Sequence, residues 1–362
     1  MHVGLIIYGS LETISGGYLY DRKLVEYLRR AGDTVEVIAL PWRSYPRHLS
    51  DNFARDLYRR LLRAPLDVLL QDELNHPSLF RLNDRLRKQI AYPIVSIVHH
   101  LRCYESHPAA VKWLYRLIER HYLASVDGFI FNSATTRRAV AATLHIDQSQ
   151  LPRSVVAYPA GDRFMPGLAR GQIEQRAHAS GPLRLIFVGN LIPRKGLHVL
   201  LEALTHLPAG TWRLRVIGNP QIDRQYARRI QRFIRAHQLT GVELTGMLSD
   251  DELAQALGDS QMLVVPSDYE GFGIVYLEGM SFGLPALATT SGAASEIITD
   301  NENGFLVPPN DPLTLALRLK ILIDDRTRLS RMSLAARDRF LKQPRWDESV
   351  KRIREMLCRD GF

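Results

Sequence analysis

Short apolar segments alternate with amphipathic helical segments along this chain, and the alternation occurs twice. The first series begins at residues 3–8, and the second begins at residues 183–189. This alternation predicts parallel sheets with helices on both faces, because parallel neighbours need long crossover connections. With 362 residues, the chain is longer than one typical core needs. The sequence therefore predicts an α/β protein with two Rossmann-like domains. The predicted strands are residues 3–8, 34–39, 68–70, 94–98, 128–131, 183–189, 212–217, 242–244, 261–265, 285–289 and 305–307.

The two series also set the predicted domain boundaries. We predict an N-terminal domain at residues 1–163, a linker at 164–182 and a second domain at 183–344. The linker falls in a stretch rich in Gly, Ala, Arg and Gln that lacks a clear period. A C-terminal helix is predicted at 345–362, because apolar residues recur there at helical spacing. Its apolar stripe comprises Trp346, Val350, Ile353, Met356 and Leu357.

Composition narrows the class of protein further. An apolar content of 46% and a charged content of 23% are typical of a soluble globular chain. No run of eighteen apolar residues is present, and the first residues are typical of a strand rather than of a signal peptide. The two cysteines, Cys103 and Cys358, are too few and too distant for a disulfide framework or a cysteine zinc site. We therefore expect a cytoplasmic protein.

The net charge of +9 is concentrated in the first half of the chain. Residues 1–170 carry 23 Lys and Arg against 16 Asp and Glu, whereas residues 171–362 carry 24 against 22. Basic side chains interleave there with aromatic ones, as in Lys112, Trp113 and Arg116. This pattern is typical either of solvated helix faces or of a surface that docks on anionic lipid or an acidic acceptor. We expect no nucleic-acid partner, because no recognition motif accompanies the charge.

The segment PSDYEGFGIVYLEG, residues 266–279, carries the strongest chemical signal. It combines a strand end, a tight loop and a helix start. Gly271 and Gly273 allow the backbone to approach a ligand closely, and amides at a helix start suit a diphosphate. Glu270 and Glu278 can accept hydrogen bonds from the hydroxyls of a ribose and a hexose. The alternative is that one glutamate favours the helix dipole and the other is solvated.

A basic loop follows the predicted strand at 183–189, in the segment FVGNLIPRKG. Arg194 and Lys195 are adjacent cations that would neutralise a diphosphate as it becomes a leaving group. The alternative is an exposed basic loop without a ligand. We also expect residues 291–296 to close the wall of the same pocket, although Glu296 is equally consistent with a carboxylate at a helix start.

Two further signals lie in the first half of the chain. Gly16 and Gly17, after the first strand, would let amides face a phosphate, although paired glycines also serve packing. At the end of a later strand, His99 or its neighbour His100 could hydrogen-bond a sugar hydroxyl or steady a leaving charge. Either histidine could instead be structural. We expect no metal site from these two and His107, because no metal-ligand spacing frames them.

These motifs together resemble the retaining family-4 glycosyltransferases, which are group 1 glycosyltransferases of the GT-B fold. The resemblance spans nearly the whole chain and is most specific in VGNLIPRKG and VVPSDYEGFGIVYLEGMSFGLP. The second motif places Glu270 and Glu278 in the Glu-x7-Glu pattern of that family. The resemblance implies two Rossmann-like domains whose parallel sheets face a central cleft, with a C-terminal helix that crosses back to the N-terminal domain.

The resemblance also implies roles for individual residues. Lys195 and Arg194 would hold the diphosphate, and Glu278 would bind the ribose of the nucleotide. Glu270 would contact the donor sugar, and His99 the transferred sugar, with His100 as the alternative. Glycines and backbone amides would complete the donor site. These residues are Gly16, Gly17, Gly189, Phe272, Gly273 and Ile274.

The function implied by the resemblance is retaining transfer of a sugar from a UDP-, GDP- or ADP-sugar to an acceptor hydroxyl. The acceptor would be a glycan, a glycolipid or a small molecule, and the catalytic set would be His99, Glu270 and Lys195. We expect no obligate cofactor or metal, because cations and helix amides can supply the positive field. The basic first half adds an anionic surface on the inner membrane face as a further partner. A nucleotide-sugar epimerase of the same fold and a non-catalytic nucleotide-sugar-binding protein remain the alternatives.

Overall fold

The computed structural model describes residues 1–359, and the last three residues of the predicted C-terminal helix, 360–362, lie outside the described residues. The chain forms two compact units. The first comprises Met1–Pro159 and the described residues from Pro344 onward, and the second comprises Ala160–Gln343. No helix within residues 1–359 has both the length and the apolar character that crossing a membrane requires.

The first unit contains a six-stranded parallel sheet in the order β2-β1-β3-β4-β5-β6. Its strands are β1 His2–Tyr8, β2 Thr34–Leu40, β3 Val68–Asp72, β4 Ile94–Val98, β5 Gly128–Phe131 and β6 Arg153–Val156. Its helices are α1 Gly16–Arg30, α2 Tyr45–Leu49, α3 Arg55–Arg63, α4 His76–Leu86, α5 Ala109–Leu123, α6 Ala134–Leu144 and the last helix of the chain, α14 Trp346–Cys358. Short 3-10 helices span Ser50–Phe53, Glu73–Asn75, Arg102–Tyr104 and Gln148–Gln150.

The second unit contains another six-stranded parallel sheet, in the order β12-β11-β10-β7-β8-β9. Its strands are β7 Leu183–Val188, β8 Trp212–Ile217, β9 Val242–Gly246, β10 Met262–Val264, β11 Ala286–Thr289 and β12 Gly304–Val307. Its helices are α7 Arg170–His178, α8 Leu197–Thr205, α9 Arg224–Ala236, α10 Asp250–Asp259, α11 Ile274–Ser281, α12 Pro312–Asp324 and α13 Arg326–Leu341. Two 3-10 helices span Pro193–Lys195 and Ala294–Glu296.

The central strands of both sheets are short apolar runs that are buried on both faces. All five residues of β4 are buried, including Ser96, whose hydroxyl accepts a hydrogen bond from Tyr122 at 3.1 Å. Such runs form wherever helices cover both faces of a parallel sheet. These observations confirm the predicted α/β class with two parallel sheets.

Strand order identifies where ligands are expected. In each sheet the order reverses at one point, between β1 and β3 in the first unit and between β7 and β10 in the second. Ligands of doubly wound sheets bind beyond the carboxyl ends of the strands at such a switch point. The loops after these four strands are therefore the first places in which to look for a site.

The last helix packs on the first unit. The guanidinium of Arg354 donates to the buried carboxylate of Asp33 at 2.7 and 3.1 Å, and Trp346 packs edge-on against Tyr20 with ring centroids 5.6 Å apart. The apolar stripe read from the sequence supplies the packing face, because Val350 and Ile353 are buried.

The region expected to be a linker differs from the prediction. The boundary between the units lies between Pro159 and Ala160, and helix α7 occupies the middle of residues 164–182. The helix has little amphipathic pattern, because only Ile173 and Ala177 are buried. Arg176 fixes it to the second unit through hydrogen bonds to the carbonyls of Phe282 and Gly258. Long-range contacts thus decide the conformation of this segment.

Candidate active site

The switch point of the second unit brings together the two loops with the strongest sequence signals. The loop after β7 carries Lys195, and the loop after β10 carries Glu270. Nζ of Lys195 donates a hydrogen bond to Oε2 of Glu270 at 2.6 Å, and the hydroxyl of Ser267 donates to the same oxygen at 3.0 Å. The structure therefore pairs the cation and the first carboxylate that the sequence analysis selects.

Close backbone contacts fix the two loops against each other. The amide of Asp268 donates to the carbonyl of Arg194 at 2.8 Å, and the Arg194 guanidinium donates to the carbonyl of Tyr269 at 2.9 Å. Gly196 has a φ of +71°, and a Cβ at this position would lie 2.0 Å from the Pro266 carbonyl oxygen. Only glycine fits this contact, so the loops approach each other because the sequence has Gly196 after Lys195.

The charges of this pair stabilise one another. Burial raises the pKa of Glu270, but the positive charges of Lys195 and Arg194 outweigh burial and hold that pKa below its ordinary value. Burial, reinforced by Arg194, lowers the pKa of Lys195 in spite of the opposing charge of Glu270. Glu270 is consequently an ionised carboxylate at neutral pH. It can accept hydrogen bonds from hydroxyls but cannot donate one.

The backbone around Glu270 is held by the segment that follows β11. The amide of Ala293 donates to the carbonyl of Glu270 at 2.9 Å. Gly292 has a φ of +87°, and a Cβ there would lie 2.0 Å from the same carbonyl oxygen. The structure thus places residues 291–296 beside the acidic loop. Glu296 ends the 3-10 helix Ala294–Glu296.

Helix α11 begins directly after the acidic loop. Its N-cap, Gly273, has a φ of +95°, and a Cβ there would lie 2.4 Å from the ring of Tyr276. The hydroxyl of that tyrosine donates to the Val265 carbonyl at 2.9 Å and fixes the helix to the end of β10. Phe272 is buried, whereas Ile274 is only half-buried at the first helical position. The first amides of a helix lack intrahelical partners, so this end can bind an anion.

Glu278 lies on α11 and has a partner that the sequence analysis missed. Nη1 of Arg163 lies 3.4 Å from Oε1 of Glu278, and the same guanidinium pairs with the exposed carboxylate of Asp250. Burial raises the pKa of Glu278, and the positive charge of Arg163 opposes that rise. Arg163 and Glu278 are 115 positions apart. No local pattern indicates such a contact.

Gly189 lies beside Lys195, in a loop that also involves an unselected glycine. A Cβ on Gly189 would touch the Lys195 side chain at 3.7 Å, an ordinary contact. A Cβ on Gly218, after β8, would lie 1.9 Å from the Gly189 carbonyl oxygen, so glycine is required at the second position rather than the first. The strand-end position of Gly218 is the signal that could have identified it.

The first unit has its own cluster at the carboxyl ends of β1, β3 and β4. Nε2 of His99 lies 3.1 Å from Oδ1 of Asp21, and both side chains are buried. Gly17 lies in the first turn of α1, where Ser15 is the N-cap, and a Cβ on it would lie 3.2 Å from Cδ2 of His99. Gly16, the preceding residue, is exposed. The structure therefore brings the glycine motif and the first histidine together.

The two tandem histidines have different surroundings. Nε2 of His100 lies 3.0 Å from Glu105, and Nε2 of His107 lies 3.4 Å from the other oxygen of that carboxylate. His99 instead packs edge-on against Tyr20, with ring centroids 5.2 Å apart. His99 is thus the histidine that contacts the glycine motif.

Acids outnumber cations around His99. Burial lowers the pKa of His99, but the negative charges of Asp21, Asp72 and Glu73 raise it to about 9, so the imidazole is charged at neutral pH. Burial raises the pKa of Asp72 to about 7 and that of Glu73 to about 8. Glu119 accepts hydrogen bonds from the amides of Arg102 and Cys103, and burial raises its pKa to about 7.

Two groups of these side chains have metal-ligand geometry. Within residues 1–359, the ligand atoms lie within 4.8 Å of one another in the group Asp21, Asp72 and His99 and in the group Glu73, His76 and Glu119. The raised pKa values of Asp72, Glu73 and Glu119 mean that protons compete with a cation for the oxygens of these three carboxyls. The sequence analysis did not select Asp72 and Glu73, although a polar run directly after a buried strand was a usable signal.

Known proteins share both the fold and part of the sequence. Residues 170–339 match the family described as Glycosyl transferases group 1. Sucrose-phosphate synthase from Thermosynechococcus elongatus has a TM-score of 0.80 at 19% identity, with 98% of each chain covered. Anabaena HepE in complex with UDP-glucose has a TM-score of 0.76 at 16% identity, with 99% of each chain covered. The protein has the GT-B fold of glycosyltransferases.

Two sequence relatives are also glycosyltransferases by name. An uncharacterized glycosyltransferase of Methanocaldococcus jannaschii is 32% identical over 47% of this chain, and the chain spans about half of that relative, 46%. The GDP-mannose-dependent alpha-(1-6)-phosphatidylinositol monomannoside mannosyltransferase of Mycobacterium tuberculosis is 27% identical over 70% of this chain and 69% of that protein. The family match covers residues 170–339, slightly less than half of the chain.

Proposed function

We propose that this chain is a retaining glycosyltransferase of family 4 that moves a sugar from a nucleotide-diphosphate sugar to an acceptor hydroxyl, in glycan, polysaccharide or glycolipid biosynthesis. The observation that carries the proposal is the ion pair of Lys195 with Glu270 at 2.6 Å, which lies at the switch point of the second sheet. Glu278 follows on the helix that starts from the same loop. A cation, a helix start and two carboxylates match the parts of an activated sugar donor.

Each part of the donor has a proposed partner in the second unit. Lys195 and Arg194 bind the diphosphate, together with amides around Phe272, Gly273 and Ile274. Glu278 accepts hydrogen bonds from ribose hydroxyls, and Glu270 accepts them from the donor sugar. The diphosphate competes with Glu270 for Lys195, so donor binding exchanges one ionic partner of this lysine for another. Gly189 lies beside the Lys195 side chain.

The first unit contributes His99, Gly16 and Gly17 to the proposal. A positively charged His99 can donate a hydrogen bond to a hydroxyl of the transferred sugar, while Asp21 holds its ring. Gly16 and Gly17 allow a phosphate or an acceptor to approach the start of α1 closely.

We propose a same-face reaction without an enzymic nucleophile. Asp268, another carboxylate of the acidic loop, is held at 3.2 Å by the Asn310 amide, and we assign it no covalent role. The bond between the anomeric carbon and the diphosphate breaks, and the acceptor oxygen bonds to the same face of that carbon. The leaving phosphate oxygen takes the acceptor proton. Lys195 and Arg194 stabilise the charge that develops on the diphosphate.

The relatives support a nucleotide-sugar donor, but they differ in the base of that donor. HepE was crystallised with UDP-glucose, and the mycobacterial relative is named as GDP-mannose-dependent. UDP- and GDP-sugars are therefore candidates, and the resemblance described above adds ADP-sugars. The acceptor would be a glycan, a glycolipid or a small molecule, and the site of action would be the cytoplasm.

A two-stage experiment tests the proposal. Thermal shifts with UDP, GDP, ADP and their sugars identify the donor, because a ligand that binds the folded state raises its apparent stability. The selected donor is then incubated with acceptor mixtures, and the anomeric configuration of the product is read by NMR. We expect transfer with the donor configuration retained.

Three results would contradict this proposal. They are an inverted product, an epimerised nucleotide sugar in the absence of acceptor, and tight donor binding that never leads to turnover.

The role proposed for Lys195 can be tested with the variant Lys195→Met. The variant Lys320→Met serves as its matched control, because Lys320 forms an ion pair of the same 2.6 Å length with Asp324 on an exposed helix face.

A further inference from the structure

Helix α5 exposes an apolar patch in the first unit. The relative exposure is 66% for Trp113, 40% for Leu114 and 53% for Leu117. The buried face of the same helix contains Tyr115 and Ile118. Scattered single apolar residues are normal on protein surfaces, but three large ones within five positions form a patch that commonly marks an interaction site.

Basic side chains form the border of this patch. At 3.6 residues per turn, Lys112, Arg116 and Arg120 follow one another along the helix and adjoin Trp113 and Leu117. Glu119 is the only acid in the helix sequence. It is buried, where it accepts the Arg102 and Cys103 amides. The surface of α5 therefore carries positive charge beside apolar side chains.

The position of the patch relates it to the cluster around His99. Helix α5 follows β4 and therefore starts near the carboxyl edge of the first sheet, where His99 lies. A helix rises about 1.5 Å per residue, so Trp113 lies only about 6 Å along the axis from Ala109, the first residue of the helix. The apolar residues thus occupy the first turns of α5, close to that edge.

We propose that α5 is a membrane-docking helix that binds the surface of an anionic phospholipid bilayer. Trp113, Leu114 and Leu117 enter the boundary between headgroups and acyl chains, while Lys112, Arg116 and Arg120 bind lipid phosphates. Amphipathic helices with this combination lie in the interface plane rather than spanning the bilayer. The docking surface is independent of the proposed transfer reaction. It would present the carboxyl edge of the first sheet to acceptors in the lipid layer.

Two helices of the second unit lack this combination. Helix α12 exposes Leu313 and Leu317 by 59% and 64%, but its basic residues Arg318 and Lys320 are paired with Asp300 and Asp324. Helix α9 carries five arginines, and its buried residues are Tyr226, Ala227 and Ile230, but its large apolar residues Phe233 and Ile234 are half-buried rather than exposed. Membrane docking needs exposed apolar side chains and unpaired positive charge together, and this requirement favours α5 over α12 and α9.

Vesicle sedimentation with the full chain tests the proposal. Vesicles of phosphatidylcholine mixed with phosphatidylserine should bind the protein, and vesicles of phosphatidylcholine alone should bind it at least about 10-fold more weakly. The double variant Trp113→Ser/Leu117→Ser should weaken partition by about 10-fold or more through lost apolar burial. The double variant Arg116→Gln/Arg120→Gln should weaken it by about 30-fold in low salt, at roughly fivefold for each charge.

Matched controls separate docking through α5 from nonspecific adsorption of the protein to vesicles. Leu313→Ser/Leu317→Ser on α12 and Arg228→Gln/Arg232→Gln on α9 should leave partition within about 2-fold of the unchanged protein. Nucleotide binding by each variant reports whether it is folded, because the altered residues lie outside the proposed donor site. If the α5 variants bind vesicles as well as the controls do, the proposal is wrong. It is equally wrong if the patch instead mediates self-association, seen as a dimer that Trp113→Ser/Leu117→Ser converts to monomer without a change in partition.

Discussion

The two units both bury ionisable side chains at the carboxyl edge of a parallel sheet, but they balance the charges differently. In the second unit each glutamate of the acidic motif faces a cation, Lys195 beside Glu270 and Arg163 beside Glu278. In the first unit Asp21, Asp72 and Glu73 surround His99, and burial pushes two of these acids toward the protonated form. The second unit thus presents charged side chains to a ligand, whereas the first unit keeps protons on its buried acids.

The largest effect is expected from a variant that breaks the charge balance of the second unit. Lys195→Met should lower kcat by about 100- to 1,000-fold, because it removes a preorganised cation from the developing diphosphate charge. Steady-state kinetics with the donor found by thermal shift provides the measurement. Lys320→Met, which breaks an exposed pair, should leave kcat unchanged. Turnover near that of the unchanged protein in Lys195→Met would remove this lysine from the catalytic set.

The second prediction concerns the other carboxylate of the motif. Glu278→Ala should raise the donor Kd by about 10- to 100-fold, because hydrogen bonds to a charged acceptor are worth about 1.5–3 kcal/mol. Calorimetric titration with the donor and with free nucleotide measures the change. Asp250→Asn should have a smaller effect, since it removes only the exposed second partner of Arg163 and leaves Glu278 in place. An equal effect of the two variants would argue against direct contact of Glu278 with the nucleotide.

The third prediction concerns the proton on His99. Asp21→Asn should lower the pKa of His99 from about 9 by roughly 1–3 pH units, because Asp21 supplies both the nearest negative charge and the hydrogen bond. NMR titration of the imidazole resonance reports this directly. Asp72→Asn should lower the same pKa by less, since its charge acts at longer range and without a hydrogen bond to the ring. If the order of the two effects is reversed, Asp21 is not the principal partner.

The smallest expected effect is a difference between the two units in how their stability depends on pH. Asp72, Glu73, Glu119 and His99 keep protons in the folded state at pH values where the unfolded chain has released them. Because the folded first unit binds more protons than the unfolded chain between about pH 5 and 9, its free energy of unfolding should fall as the pH rises, by at least about 1 kcal/mol. The lowered pKa of Glu270 acts in the opposite direction. Its stabilisation is present above the unfolded pKa and is lost as the pH falls.

Amide hydrogen exchange at about pH 6 and about pH 9, corrected for intrinsic rates, measures this difference for each sheet separately. Protection should decrease with pH in β3 and β4 more than in β7 and β10. Equal losses in the two sheets would contradict the comparison.

The sequence predicted most of the fold because burial on both faces leaves a clear apolar signature. Residues 94–98 and 128–131 were predicted with the observed bounds of β4 and β5. Strand β6 was not predicted, because its four half-buried residues at the sheet edge include Arg153 and Ser154 and give no apolar run. Helix α7 was not predicted for a related reason, since tertiary hydrogen bonds of Arg176 fix it rather than its own amphipathic pattern.

The residues of the candidate site were predictable where each lies in a motif directly after a strand. Lys195 and Glu270 were selected separately, each from its own strand-end motif, and the switch point explains why they meet. Arg163 could not be selected, because its partners Asp250 and Glu278 are 87 and 115 positions away. The different contacts of His99 and His100 also needed the structure, since two adjacent residues share the same strand-end signal.

The contact of Gly161 with helix α11 connects the start of the second unit to the proposed donor site. A Cβ on Gly161 would lie 2.5 Å from Cβ of Leu277, and two residues later Arg163 pairs with Glu278. The first residues after the crossover at Ala160 are thus fastened to the helix that carries a proposed nucleotide contact. If a ligand displaced Arg163 from Glu278, this contact would weaken, and by thermodynamic reciprocity any change that strengthened the contact would lower the affinity for that ligand.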